Sequence, residues 1–252
     1  MISLFATTTC NNIENYKKFN SSINFPIETL SVLVNNQDIN YFDQVRQVTP
    51  NPLVKKYEYS YCPRNMGCPS SWNYHVKHYP KEKYWIQSSD DVMFQSTELL
   101  DLYNLMEEGY DGVFAERCNY VLFGLSRNMI KTIGFFDENL HPACFEDNDY
   151  RNRINVFLGG SVGGDSHIKS IDSDLKVTEF PVNFIHNGSQ AGYGGGGTGV
   201  NFTPELAEFW KVCYANNQEY YNKKWSSQID QNIPLWYWKF DIDQRAKQEF
   251  LI

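Results

Sequence analysis

The chain has 252 residues and a net charge of −8, from 22 Lys and Arg against 30 Asp and Glu. A hydrophobic content of 42% and a charged content of 21% exclude a disordered chain. The acid excess disfavours a duplex nucleic-acid partner, which needs clustered Lys and Arg, and no apolar run approaches the ~20 residues of a membrane span.

The N-terminus lacks a basic n-region, so no signal peptide is expected. Six cysteines at 10, 62, 68, 118, 144 and 213 form no Cys-x-x-Cys, which predicts reduced thiols and a cytoplasmic protein. The 17 Tyr, 17 Phe and 6 Trp suit core packing, and equally carbohydrate or base stacking.

Ile2 to Ala6 reads as a strand ending in three threonines. Asn11 to Ser21 reads as a helix, with Ile13, Tyr16 and Phe19 three apart. Leu30 to Val34 and Val54 to Tyr59 are further strands, separated by a charged, proline-marked stretch. Ser70 or Ser71 is an N-cap candidate for a helix to His78, ended by Pro80. Tyr84 to Gln87 is a strand running into Ser88-Ser-Asp-Asp91. Thr97 to Glu108 is a helix with Thr97 as cap and Gly109 as stop.

Asp111 to Ala115 and Tyr120 to Phe123 are strand-like, Ser126 to Ile133 and Phe145 to Leu158 helical, and Val177 to Ile185 a strand ending at His186. A glycine-rich loop spans Gly188 to Gly199, and an aromatic helical region follows from Thr203. Strands alternating with helices predict an α/β fold with a mainly parallel sheet. Ligands in such sheets sit beyond the strands' carboxyl ends, where Thr7 to Thr9, Asn35-Asn36 and Ser89-Asp90-Asp91 all fall. The expected division is 1–204, with halves 1–115 and 116–204, and a C-terminal extension 205–252.

Several groups stand out. Asp90-Asp91 offers oxygen ligands for a divalent cation, although Asp is also common in strand-to-helix turns. Glu146, Asp147 and Asp149 open a helix. Their i,i+4 partners Arg151 and Arg153 fit an ordinary surface helix, whereas the apolar Phe135 to Pro142 approach fits a carboxylate with raised pKa and a general-base role. His186 is a structural histidine or a ligand. The glycine run formally contains G-x-G-x-x-G, but too late in the chain for a dinucleotide turn. It reads as a loop closing over phosphates or as a linker. No G-x-x-x-x-G-K-[ST] occurs.

Four blocks together resemble the GT-A glycosyltransferases, nearest to the family 2, rhamnosyltransferase-like kind. Asn65-Met-Gly-Cys-Pro-Ser-Ser-Trp-Asn73 resembles N-x-G-x5-N, and Tyr84-Trp-Ile-Gln-Ser-Ser-Asp-Asp-Val92 resembles the strand with its D-x-D motif, lacking the first acid. Gly134-Phe-Phe-Asp-Glu138 with Phe145-Glu-Asp-Asn-Asp-Tyr-Arg-Asn-Arg153 resembles the acceptor block. Tyr220-Tyr-Asn-Lys-Lys-Trp225 resembles a late Y-x-x-K-W segment. The Asn-, Tyr-, Ile- and Lys-rich composition resembles that of AT-biased genomes, and the compact size resembles transferases of large viruses.

The resemblance implies an inverting, metal-dependent transferase moving a sugar from a nucleoside diphosphate sugar to a glycan hydroxyl. Asp91 and His186 would hold Mn²⁺ or Mg²⁺. Thr7, Thr9, Asn35, Arg64, Asn65, Gly67, Asn73 and Asp90 would line the donor site. Asp147 would be the general base, supported by Glu146 and Asp149. Val34 stands where the family usually has a base-contacting acid, so UDP is favoured with GDP and dTDP open. The alternative is a non-catalytic or degenerate carbohydrate-binding module of the same fold. A sugar-phosphate nucleotidyltransferase would carry a glycine-rich basic loop after the first strand, and Thr7 to Asn12 has no glycine. Oligomeric state is left open.

Overall fold

The computed structural model describes residues 1–64, 66–116, 119–159, 174–186 and 204–225. Seven strands form one sheet in the order β3-β2-β1-β4-β7-β6-β8. These are β1 (Ile2–Thr9), β2 (Ile27–Asn35), β3 (Val54–Cys62), β4 (Tyr84–Ser89), β6 (Gly112–Ala115), β7 (Leu122–Ser126) and β8 (Val177–Phe180). Only β7 runs antiparallel to its neighbours, β4 and β6. Two short strands, β5 (Val92–Met93) and β9 (Ile185–His186), pair antiparallel outside the sheet. The helices are α1 (Ile13–Ser22), α2 (Ile39–Arg46), α3 (Gly67–His78), α4 (Glu98–Glu107), α5 (Arg127–Ile133), α6 (Glu146–Phe157) and α7 (Pro204–Trp225).

The sheet is covered on both faces, so its central strands are apolar without alternation. On β1, Phe5 joins one core with Tyr16, Phe19, Leu99 and Leu102, while Leu4 joins the other with Trp85, Phe123, Phe136 and Tyr150. Each large ring withdrawn from water contributes about 1.5–3 kcal/mol, so the two cores carry most of the fold's stability. Side-chain caps set several helix starts. Asn12 accepts from Asn15 N at 3.1 Å, Asp38 from Asn40 N at 2.9 Å, and Ser126 from Met129 N at 3.1 Å.

Several boundaries differ from the sequence reading. Helix α2 lies in the charged, proline-marked stretch, where no helix was expected. It is eight residues long and buries Tyr41 and Val45 on one face, a stripe only one turn long. Helix α3 begins at Gly67, and Ser71 Oγ donates back to Gly67 O at 2.6 Å instead of capping. Thr97 precedes α4, but its hydroxyl donates to Asp101 Oδ2 at 2.7 Å and caps no amide. Gly109, at φ +88°, does terminate that helix in the left-handed conformation. Tyr120 falls in a 3₁₀ turn, and β7 starts at Leu122. The single strand read from Val177 to Ile185 is two, because Pro181 has no N–H to continue the ladder.

Candidate active site

The parallel strands deliver their carboxyl ends to one edge. There Thr9 is fully buried, and its Oγ1 lies 2.6 Å from Tyr41 OH on α2. Its hydroxyl also hydrogen-bonds Asp90. Desolvation raises Asp90 to about 7, the charge of Asp91 adds to this, and the Thr9 bond opposes it. Asn35 Oδ1 accepts from Met66 N at 2.9 Å and thereby ties the end of β2 to the start of α3. Thr7, one pleat back, is buried with no partner for its hydroxyl among the described residues. Tyr41 is a site residue that the sequence reading missed, since the helix bearing it was not foreseen.

Asp91 and His186 are brought together from positions far apart in the chain. The β5–β9 register places Val92 opposite His186. Asp91 Oδ2 and His186 Nε2 are 3.2 Å apart, and Ser89 Oγ donates to the other Asp91 oxygen. One carboxylate and one imidazole are a donor set suited to Mn²⁺ or Mg²⁺. Among the described residues no cluster of three or more His, Cys, Asp or Glu forms a metal site. Among the described residues, these two groups are the ones that would hold a cation.

The second acid group opens α6. Cys144 and Phe145 both adopt left-handed φ, at 81° and 72°, and turn the chain sharply into the helix. Glu146 is buried, and its Oε2 has no partner among the described residues. Burial holds its carboxyl well above the usual range, and the neighbouring charge of Asp147 adds to this. Asp147 is raised by burial too, while the Asn148 amide, 2.8 Å from Oδ1, and the Arg151 charge pull it down. Asp149 differs entirely. Its Oδ2 is 3.0 Å from Arg153, and its Oδ1 receives Trp225 Nε1 at 2.9 Å and lies 2.7 Å from Lys224 Nζ. It is a buried structural anion with no oxygen left for a reacting proton, and α6 is not a surface helix.

Cys68 stands at the start of α3, and its amide donates to Pro142 O of the loop before α6. Burial raises its thiol, and the charges of Glu146 and Asp147 add to the shift. Gly67, at φ +74°, permits this approach. A Cβ there would lie 2.5 Å from Pro142 O, the atom that Cys68 N reaches at 2.6 Å. Other predicted donor residues are not gathered at the edge. Asn73 is spent on the loop before α6, bonding both the carbonyl and the amide of Phe136 at 2.9 Å. Arg64 is exposed beyond β3, and Asn65 lies outside the described residues, as do Cys118 and the glycine run. The five described cysteines are free thiols.

A cleft of about 360 Å³ runs along α3, lined by Met66, Ser70, Tyr74, Lys77, His78 and Glu138. It contains none of Asp90, Asp91, Glu146 and Asp147. The chemistry of those acids, and not the size of the cleft, marks the candidate site.

No protein-family model matches the chain, and no curated protein matches it in sequence. Solved structures do resemble it. A mannosyltransferase from Pyrobaculum calidifontis, in complex with GDP-Man and Mn²⁺, matches at TM-score 0.53 and 11% identity over 71% of this chain. TarS residues 1–349 from S. aureus match at TM-score 0.50 and 10% identity over 92% of it. The chain spans about half the length of that mannosyltransferase, 54%, and 76% of the TarS fragment. At such identities the likeness is one of fold: the chain has a GT-A-like architecture, a mainly parallel seven-stranded sheet flanked by helices.

Proposed function

We propose that the chain is an inverting, metal-dependent glycosyltransferase that moves a sugar from a nucleoside diphosphate sugar, UDP-linked by preference, to a glycan hydroxyl. The observation that carries this reading is the 3.2 Å approach of Asp91 and His186 at the strand ends, beside the buried Asp90–Thr9 pair. The fold's resemblance to a structure containing GDP-Man and Mn²⁺ supports it.

In this reading Asp91 and His186 would hold Mn²⁺ or Mg²⁺, which would supply positive charge against the negative charge growing on the leaving diphosphate. Asp90, braced by the buried Thr9 hydroxyl, hydrogen-bonds the donor's ribose. Thr7 and Asn35 lie close by, and Gly67 opens the α3 side of the donor site, while Asn73 holds the loop before α6. Arg64, at the exposed end of β3, meets the base. The acceptor oxygen attacks the anomeric carbon from the face opposite the diphosphate. The new C–O bond forms as the old one breaks, the electron pair leaves with the nucleoside diphosphate, and the acceptor proton passes to Asp147. One displacement inverts the anomeric centre.

Burial suits Asp147 to this task, since its raised pKa moves it toward that of the hydroxyl it must deprotonate. Burial raises Glu146 as well, and the charge of Asp147 beside it adds to that shift.

The test is a thermal-shift panel of UDP, GDP, dTDP and CMP, each with and without Mn²⁺. A nucleotide at 100 times its Kd adds about 2.7 kcal/mol of stability. Stabilisation by one of them only with Mn²⁺ is expected and names the donor class. No shift with any of the four removes the reading.

A further inference from the structure

Helix α7 grips the α6 region along a single face. Residues 214, 217, 220, 221, 224 and 225 recur at helical spacing. Asn217 Nδ2 donates to Ala143 O at 2.8 Å, and Asn152 Nδ2 donates to Tyr221 OH at 2.7 Å. The rings of Tyr214 and Tyr221 lie 5.0 and 5.3 Å from that of Phe145. In the last turn, Lys224 Nζ is 2.7 Å from both Asp137 Oδ2 and Asp149 Oδ1. Tyr220 OH donates to the same Asp137 oxygen at 2.9 Å, and Trp225 Nε1 donates to Asp149. Arg153 completes the group, bonding Asp149 and donating to Ile133 O at 2.8 Å.

All four ionic side chains are withdrawn from water. Two carboxylates meet two cations, so the cluster is neutral, the condition under which buried charges are tolerated. Asp137 stands in the loop that α3 clamps through Asn73, between Phe136 and Glu138, and Asp149 stands in the first turn of α6. Between them lie Cys144 and Phe145, two consecutive residues in the left-handed region. Such a turn costs energy and persists only where surrounding contacts over-determine it. Helix α7 holds it through the Asn217 bond to Ala143 O and the rings of Tyr214 and Tyr221 against Phe145.

We propose that the last turn of α7 is the positioning element of the acid site: Lys224 neutralises Asp137 and Asp149 together and, with Trp225, fixes the turn that presents Glu146 and Asp147. Neither residue touches the reacting atoms. The catalytic consequence rests on the transferase reading, and the structural claim does not.

Hydrogen exchange on the full chain tests it, comparing wild type, Lys224→Met and the pair Asp137→Asn with Lys224→Met. The single variant leaves two buried carboxylates against Arg153 alone, whereas the pair restores neutrality as Asp149 with Arg153. Lys224→Met is expected to raise exchange in 143–150 by about tenfold or more while β1 and β2 keep wild-type protection. The pair is expected to recover most of it. Uniform loss of protection, or none, overturns the proposal, and so does a pair that folds no better than the single variant.

Hydrolysis of a UDP-sugar, assayed in parallel, is expected to lose kcat at unchanged donor KM. A fall in both together overturns the positioning role in turnover. If wild type binds no nucleotide and hydrolyses no donor, the transferase reading fails, and exchange alone still decides the role of Lys224.

Discussion

Asp147 and Asp149 stand two positions apart on one helix and meet opposite environments. Asp149 is saturated by Arg153, Lys224 and Trp225, whereas Asp147 keeps only a local amide and a nearby Arg151 charge. Asp149→Asn should therefore cost about 3–5 kcal/mol, read as a lower denaturation midpoint, because two buried cations then share one carboxylate. Asp147→Asn should leave the midpoint unchanged or raise it, and lower transfer by about 10²-fold or more. The sign follows from its raised pKa. A folded-state value above the ordinary one gives stability that is present at low pH and lost as pH rises through that value.

His75 is the reverse case. It is fully buried against Ser31 and Thr8, and burial lowers its pKa to about 3. Stability from the neutral ring is present above the ordinary value near 6.5 and is lost as pH falls toward 3. Between pH 7 and 5 the wild type should lose about 2 kcal/mol relative to His75→Gln, measured by urea unfolding of both at each pH.

At the scale of elements, the start of α3 depends on one glycine. Gly67 combines a positive φ with backbone contact to Pro142, while Gly109 has a similar φ but open space around its missing side chain. Gly109→Ala should cost about 1 kcal/mol from conformation alone. Gly67→Ala should cost clearly more, as a larger fall in Tm, because the loop before α6 must move as well.

Helices α1, α4 and α5 were legible in the sequence because each carries an apolar stripe and a cap or stop residue. Helix α2 was not, since its Tyr41–Val45 stripe spans a single turn. The split between β8 and β9 had a signal in Pro181, but the partner of β9 did not. Val92 and His186 are 94 positions apart and meet only across the folded chain.

Across the whole molecule, the donor side and the acid side rest on different parts of the chain. Strands β1, β2 and β4 with α2 build the first, and α6 with α7 builds the second. The two should therefore separate experimentally. Asp91→Ala should abolish Mn²⁺-dependent stabilisation by nucleotide, and Asp147→Asn should retain it. Loss of the shift in Asp147→Asn would place that acid on the donor instead. No described helix is long and apolar enough to cross a membrane.

By itself the sequence determined the α/β alternation, the strand-end positions of Thr9, Asn35 and Asp90, and the two acid groups, because propensity, hydrophobic period and local spacing act over a few residues. Only the tertiary structure decided which acids are free to react. Asp149 and Asp147 are indistinguishable in sequence, and the cations that spend one of them come from Arg153, one turn along, and from Lys224, 75 positions away. The charge state of a carboxylate depends on its desolvation and on the partners the fold brings within hydrogen-bond reach.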